Sequence, residues 1–404
     1  MRRLQRNLGE PAPIPDAAMD RVRELLQGGQ LTRYGEFSGN GSEVAALERD
    51  FAAYLGARFA VATNSGGSAL HIALLATAVQ PGDRVLMNAF TLAPVPGAVV
   101  RAGAEPLYVE CGEDYVIDLD DLERKARGQR GVLLLSHMRG HIADMNAVVS
   151  VCGQNGLVLI EDCAHTLGAS WDGTKSGRFG AIGCFSLQAY KHINAGEGGI
   201  LVTDDEDIAA MAILYSGSYM LYAQNGTAPP DNVFQRHHRN IPNLSCRMPE
   251  VTAAIARPQI ALLDERARNW NQSYAWLAEL LSAIDGVAIP ARDSREAFVA
   301  SSIQFSLPGV DAAAIEEFVD RCTRQGVGIK WFGRSTPQGF TSTWEDWAYV
   351  RDVQELPVTR RVLDTLCDMR IPLDLTAEDC EMIADIIGDA LRQPLESARA
   401  RLAR

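Results

Sequence analysis

Residues 184–199 read Cys-Phe-Ser-Leu-Gln-Ala-Tyr-Lys-His-Ile-Asn-Ala-Gly-Glu-Gly-Gly, which places one lysine, Lys191, between an apolar strand-like run and a glycine-rich turn. A buried lysine with no partner is unfavourable, and desolvation together with nearby positive charge lowers the pKa of its amine. Imine chemistry needs such an amine. Upstream, Gly156-Leu-Val-Leu-Ile-Glu-Asp162 is an apolar run that ends in two acids. A carboxylate at such a strand end needs a cationic or donor partner, and a protonated pyridine nitrogen is one. The pair of features predicts a pyridoxal phosphate site, with Lys191 holding the cofactor as an imine and Asp162 keeping its ring nitrogen protonated. Taken singly, Asp162 also reads as a helix cap and Lys191 as a snorkelling surface lysine.

Thr63-Asn-Ser-Gly-Gly-Ser68 leaves a strand-like run and opens a helical one. Backbone N–H groups at a helix start, glycines that allow close approach and the Ser68 hydroxyl suit a phosphate, although the same pattern is also an ordinary N-capped turn. Ser186, on the strand before Lys191, offers a second hydroxyl. His165, three residues past Asp162, reads either as a donor to the cofactor's phenolate oxygen or as structural. His137 ends another strand at the same edge and is a candidate to line the pocket. Once freed, Lys191 can shuttle a proton between substrate and cofactor.

Between residues 58 and 205 short β-rich runs alternate with helical stretches. The expected strands are 59–63, 84–88, 106–109, 132–137, 157–161, 182–187 and 199–203. Helices are expected near 67–77, 92–102, 119–126 and 144–155. That alternation predicts a mainly parallel seven-stranded sheet with helices on both faces, and ligands in such sheets sit beyond the carboxyl ends of the strands. Before it, 14–28 has helical spacing, Thr32–Ser42 is a polar glycine-rich loop facing a ligand, and Ser42 caps a helix running to Tyr54. After it, 217–243 reads as a long functional or intersubunit connection, and 250–284 as a helix kinked at Pro258. From about 295 onward the pattern is that of a smaller α+β domain, with a strand at 303–307 and helices near 311–325, 359–366 and 376–392. The expected division is an N-terminal helical arm (1–30), a large cofactor-binding domain (31–265) and a small domain (266–404).

The 404 residues are 47% hydrophobic and 22% charged, enough for a large core without disulfides or a metal. Eight cysteines without a C-x-x-C pair lie mostly in apolar runs and read as buried reduced thiols, so the expected location is cytoplasmic. The N-terminus lacks the apolar stretch of a secretory signal, and no run reaches the roughly 18 apolar residues of a membrane helix. A net charge of −13 argues against nucleic acid or anionic lipid as partner.

In order and spacing, these motifs resemble the DegT/DnrJ/EryC1/StrS family of pyridoxal phosphate-dependent sugar and cyclitol aminotransferases, which have the type I transferase fold. The resemblance runs through Gly41-Ser-Glu-Val, Asn64-Ser-Gly-Gly-Ser-Ala-Leu70, Pro81-Gly-Asp83, Ala89-Phe-Thr91, His137-Met-Arg-Gly140 with Asp144-Met145, Glu161-Asp-Cys-Ala-His165, Lys191 with Gly196-Glu-Gly-Gly199, and Ile371-Pro-Leu. It implies that Lys191 binds the cofactor, Asp162 faces the pyridine nitrogen, His165 neighbours the phenolate oxygen, and Gly67, Ser68 and Ser186 hold the phosphate. It also implies a homodimer with shared active sites, in which Ser245 and Arg247 of Ser245-Cys-Arg-Met248 act across the interface. Leu92 stands where the family usually has a stacking aromatic ring, and Ser245 where it usually has asparagine. Gln188, in place of a common histidine, looks like the aminocyclitol and aminohydroxybenzoate branch. Trp331 and Arg334 fall where relatives complete the substrate pocket. The implied reaction takes an amino group from glutamate or glutamine to a ketone on a sugar, cyclitol or related secondary-metabolite intermediate. Elimination on a similar substrate, or a silent regulatory role, are the alternatives. Family dehydratases replace the lysine with histidine, and Lys191 is present here.

Overall fold

The computed structural model describes residues 3–35 and 41–402, without the side chains of 393–402. Residues 36–40 of the expected ligand-facing loop, and the basic Met1-Arg2, lie outside it. Seven strands form the main sheet: β1 Phe59–Thr63, β2 Arg84–Asn88, β3 Glu105–Val109, β4 Gly131–Ser136, β5 Leu157–Asp162, β6 Ile182–Ser186 and β7 Gly199–Thr203. Their order is β1-β7-β6-β5-β4-β2-β3. The five strands from β3 to β6 pair in parallel, and β7 runs antiparallel to both β6 and β1. The fold is thus the expected α/β type I transferase architecture, with one reversed strand.

Side chains alternate between two cores, as the period of two along a strand requires. Val132 and Leu134 of β4 face one cluster, and Leu133 and Leu135 face the other. Helices cover both faces, which is why these strands read as continuous apolar runs. A smaller sheet follows, β8 Ser302–Ser306, β9 Ile329–Trp331 and β10 Leu366–Arg370, in the order β8-β10-β9. Leu4 and Leu8 pack into the core around it, and Leu4 N donates to Gln325 O at 2.8 Å.

Ser42 accepts from Ala45 N at 3.1 Å and starts the helix Glu43–Leu55. The long helix is broken at Pro258 as expected: Glu250–Ala256 gives way to a tighter turn over Arg257–Leu262 before Leu263–Ser282 resumes. The 217–243 connection differs from an unstructured loop. It contains the helix Asp231–His237, because Val233 and Phe234 find apolar burial and Phe234 stacks on Tyr222 with ring centroids 4.0 Å apart. Among the described residues no helix is long and apolar enough to cross a membrane.

Candidate active site

The register of the central strands sets Ser136 beside Asp162, and Asp162 beside Cys184, at the carboxyl ends of β4, β5 and β6. Loops diverge from the sheet there and leave a crevice for a ligand. Ser136 Oγ donates to Asp162 Oδ2 at 2.9 Å, and Ala164 N donates to Oδ1 at 3.2 Å. Burial nevertheless pushes the Asp162 carboxyl above its ordinary range. A cationic ring nitrogen brought to it from the cavity would offset that burial, so a protonated pyridine fits.

Past β6 the chain folds back tightly, with Leu187 N donating to Gly198 O at 2.9 Å and Lys191 N to Gln188 O at 2.8 Å. That turn brings Lys191 Nζ to 2.7 Å from His165 Nε2. Burial first, then the Arg139 guanidinium, push the lysine amine down to about 7. Burial, and then Lys191, hold His165 well below the usual histidine range. A neutral imidazole can accept a hydrogen bond from the ammonium, so the pair is compatible without a second buried charge.

The helix Gly66–Ala76 begins at the same edge. Ser65 caps it, accepting from Ser68 N at 3.0 Å and donating to Ser68 Oγ at 3.0 Å. The first-turn N–H groups of Gly66 and Gly67 have no carbonyl within the helix to bond, and both residues line the cavity. Close approach depends on missing side chains. A Cβ on Gly66 would meet Ser186 Cβ at 2.9 Å, and one on Gly199 would meet Ser65 O at 2.2 Å. Such a helix start, with the Ser186 hydroxyl beside it, fits a phosphate.

One cavity of about 730 Å³ joins these features, and the expected Gly67, Leu92, Asp162, His165, Ser186, Gln188 and Lys191 all line it. Ser68 is buried behind Ser65. His137 is turned away, with Nε2 at 3.1 Å from Glu161 Oε2. Cys163 completes a buried group with these two, but the Glu161 oxygens already accept from the N–H groups of Gly177, Phe179 and Gly180. Trp331 also stays out of the cavity: it packs in the core and donates from Nε1 to Asp364 O at 2.8 Å. Arg334 pairs with Glu316 at 3.0 Å in a separate surface groove. Ser245 is exposed, and Arg247 donates to Gly217 O at 3.2 Å and lies over Tyr219. Neither lines the cavity of its own chain.

Four residues at this site were not singled out from the sequence. Ser65 and Ser136 could have been found, the first by its N-cap position before two glycines and the second as the end of a strand neighbouring Asp162. Arg139 and Arg370 also line the cavity. Arg139 enters it from a backbone turn with φ 55°, which the sequence does not announce.

A model of the DegT/DnrJ/EryC1/StrS aminotransferase family matches residues 14–388. The chain belongs to this family. It is an aminotransferase, and its relatives include aminotransferases of sugars and related rings. The 3-amino-5-hydroxybenzoate synthase of Amycolatopsis mediterranei is 32% identical over 77% of this aminotransferase and 78% of its own length. GDP-perosamine synthase of Caulobacter vibrioides is 31% identical over 66% and 67%. A crystal structure of 3-amino-5-hydroxybenzoic acid synthase superposes with a TM-score of 0.81 at 28% identity, covering 95% of this aminotransferase and 99% of that chain.

Proposed function

We propose that this aminotransferase uses pyridoxal 5′-phosphate to carry an amino group from glutamate or glutamine to a ketone on a sugar, cyclitol or related ring. The observation that carries the reading is one cavity in which Lys191 Nζ meets His165 Nε2 at 2.7 Å, between a buried Asp162 and a glycine cradle at a helix start. When bound, the cofactor supplies an aldehyde that takes up an amino group and a ring that withdraws electrons from the neighbouring carbon. Asp162 keeps the ring nitrogen protonated. His165 stands beside the phenolate oxygen, and Gly67, Ser186 and Ser65 form the phosphate end, with Ser68 holding the Ser65 hydroxyl in place. Leu92 packs on the ring face in place of an aromatic side chain. Lys191 Nζ takes and returns the proton of the substrate's α-carbon, a role typically worth about 10²–10⁴-fold in rate.

Homodimeric assembly is part of the proposal. Tyr219, Met220 and Leu221 expose an apolar stretch at 63%, 76% and 40%, close to the Arg247 that stacks on Tyr219. Burying that stretch against a second copy would carry Ser245 and Arg247 toward the neighbouring cavity. The division into an arm, a large domain to about 265 and a small domain after it is supported by the seven-stranded sheet within residues 59–203 and the three-stranded sheet within residues 302–370, although Glu296–Ala297 pairs with Ser170–Trp171 across that division. The eight free, buried cysteines support a reducing, cytoplasmic location.

The test is spectroscopic. Protein reconstituted with pyridoxal phosphate should absorb in the visible, bleach with glutamate or glutamine, and release the matching keto acid. A chain that takes up no cofactor, or whose spectrum is unmoved by every amino acid, would remove the reading.

A further inference from the structure

Two arginines, Arg139 and Arg370, line the same cavity as the glycine cradle. Arg139 is 5% exposed, and its Nε and Nη2 are buried without a hydrogen-bond partner. Its ionic contact is with Asp368, whose Oδ2 lies 3.3 Å from Nη2. Asp368 is already engaged: Lys330 Nζ donates to it at 3.1 Å and Gln304 Nε2 at 2.8 Å. Arg370, the last residue of β10, lines the same cavity and is fixed by a bond to Tyr190 O at 3.3 Å and by the Tyr190 ring. Arg139 and Lys330 therefore share one carboxylate. Of the acids that line the cavity, Asp162 already accepts from Ser136 Oγ and Ala164 N, and Glu197 is exposed.

We propose that Arg139 and Arg370 form a carboxylate subsite, and that the ketone acceptor is a ring carrying a carboxylate near the carbon that receives nitrogen. This rests on the transamination reading above. Arginine is suited to the task, because its planar fork matches the two oxygens of a carboxylate. The direction of charge in the site agrees: burial and then Arg139 lower the proton affinity of both Lys191 and Arg370.

One cavity serves both halves of the reaction. In the first half the α-carboxylate of an amino acid can neutralise the arginines. When the keto acid leaves, that partner leaves with it. An uncharged ring in the second half would strand a desolvated guanidinium, whereas a ring bearing a carboxylate restores the pairing.

The experiment uses the reconstituted holoenzyme and calorimetric titration with cyclohexanecarboxylate, cyclohexanecarboxamide and inorganic phosphate. The carboxylate should bind at least about tenfold more tightly than the amide or phosphate. Arg370→Gln should weaken the carboxylate about 10–100-fold and leave the amide unchanged. Arg139→Asn should do the same, since asparagine tolerates a positive φ, and Arg370→Gln decides the matter if that variant does not fold. In turnover, both variants should raise KM for 3-oxocyclohexanecarboxylate and not for its amide. Equal binding of carboxylate and amide, stronger binding of phosphate, or an unaffected Arg370→Gln overturns the subsite. An effect confined to bleaching by the amino donor overturns the assignment to the acceptor. Carboxylate binding that persists in a wild-type protein no amino acid can bleach would instead reject transamination and leave the subsite standing.

Discussion

Lys191 Nζ lies 2.7 Å from His165 Nε2, so a cation and a base carried by different loops meet at the carboxyl end of the sheet. The lysine amine is held near 7 by burial and by Arg139, about where a proton can be both taken and given at neutral pH. In cofactor-free protein the rate of pyridoxal phosphate capture should therefore rise through a midpoint near pH 7. Stopped-flow absorbance between pH 5.5 and 9.5 measures it, and a midpoint close to the ordinary lysine value would contradict the assignment.

The same shift has a stability consequence. A lysine whose folded pKa is about 7 and whose unfolded value is about 10.4 binds fewer protons in the folded state between those limits, so its penalty is full below pH 7 and fades as pH rises. Lys191→Met should stabilise the cofactor-free protein at pH 6.5 by about 1–4 kcal/mol while abolishing turnover. Urea denaturation at pH 6.5 and 9.5 checks both sign and trend.

Borohydride reduction of the holoenzyme followed by peptide mapping should find the label at position 191. A label on Lys175, Lys330 or another lysine would place the chemistry elsewhere.

In the proposed reaction Asp162 would supply the charge opposite the ring nitrogen, and Ser136 donates to its carboxylate at 2.9 Å. Asp162→Asn should lower kcat by about 10²–10³-fold with the cofactor still bound. Ser136→Ala should cost less, because Ala164 N still donates to the carboxylate. Single-turnover bleaching rates separate the two.

Gly199 pairs with both Thr63 and Ser186, and a Cβ there would lie 2.2 Å from Ser65 O and 2.6 Å from Gly66 N. Gly199→Ala should push the helix start out of place and weaken cofactor affinity by about tenfold or more. Equilibrium dialysis measures this directly, and circular dichroism shows whether the fold is kept.

The alternation of apolar runs and helical stretches predicted all seven strands, because a strand buried on both faces must be apolar throughout and a glycine or capping residue must end each helix. The sequence also brought forward Asp162, His165 and Lys191, each a polar side chain interrupting an apolar or glycine-rich pattern, and all three line one cavity. His137 had the same kind of signal and turned the other way, toward Glu161, since a one-residue shift past the end of β4 reverses the face a side chain takes. Trp331 similarly found the core, where its indole N–H has the Asp364 carbonyl as partner.

By itself the sequence determined which residues could do chemistry and the elements that carry them, because burial pattern, turn residues and capping are properties of neighbours in the chain. Only the tertiary structure decided that Arg139, from the turn after β4, and Arg370, from the small sheet, line the same cavity as Lys191. Their encounter spans more than two hundred residues, and the charge they bring there depends on how the two sheets pack and on the left-handed turn at Arg139, neither of which is encoded in local periodicity.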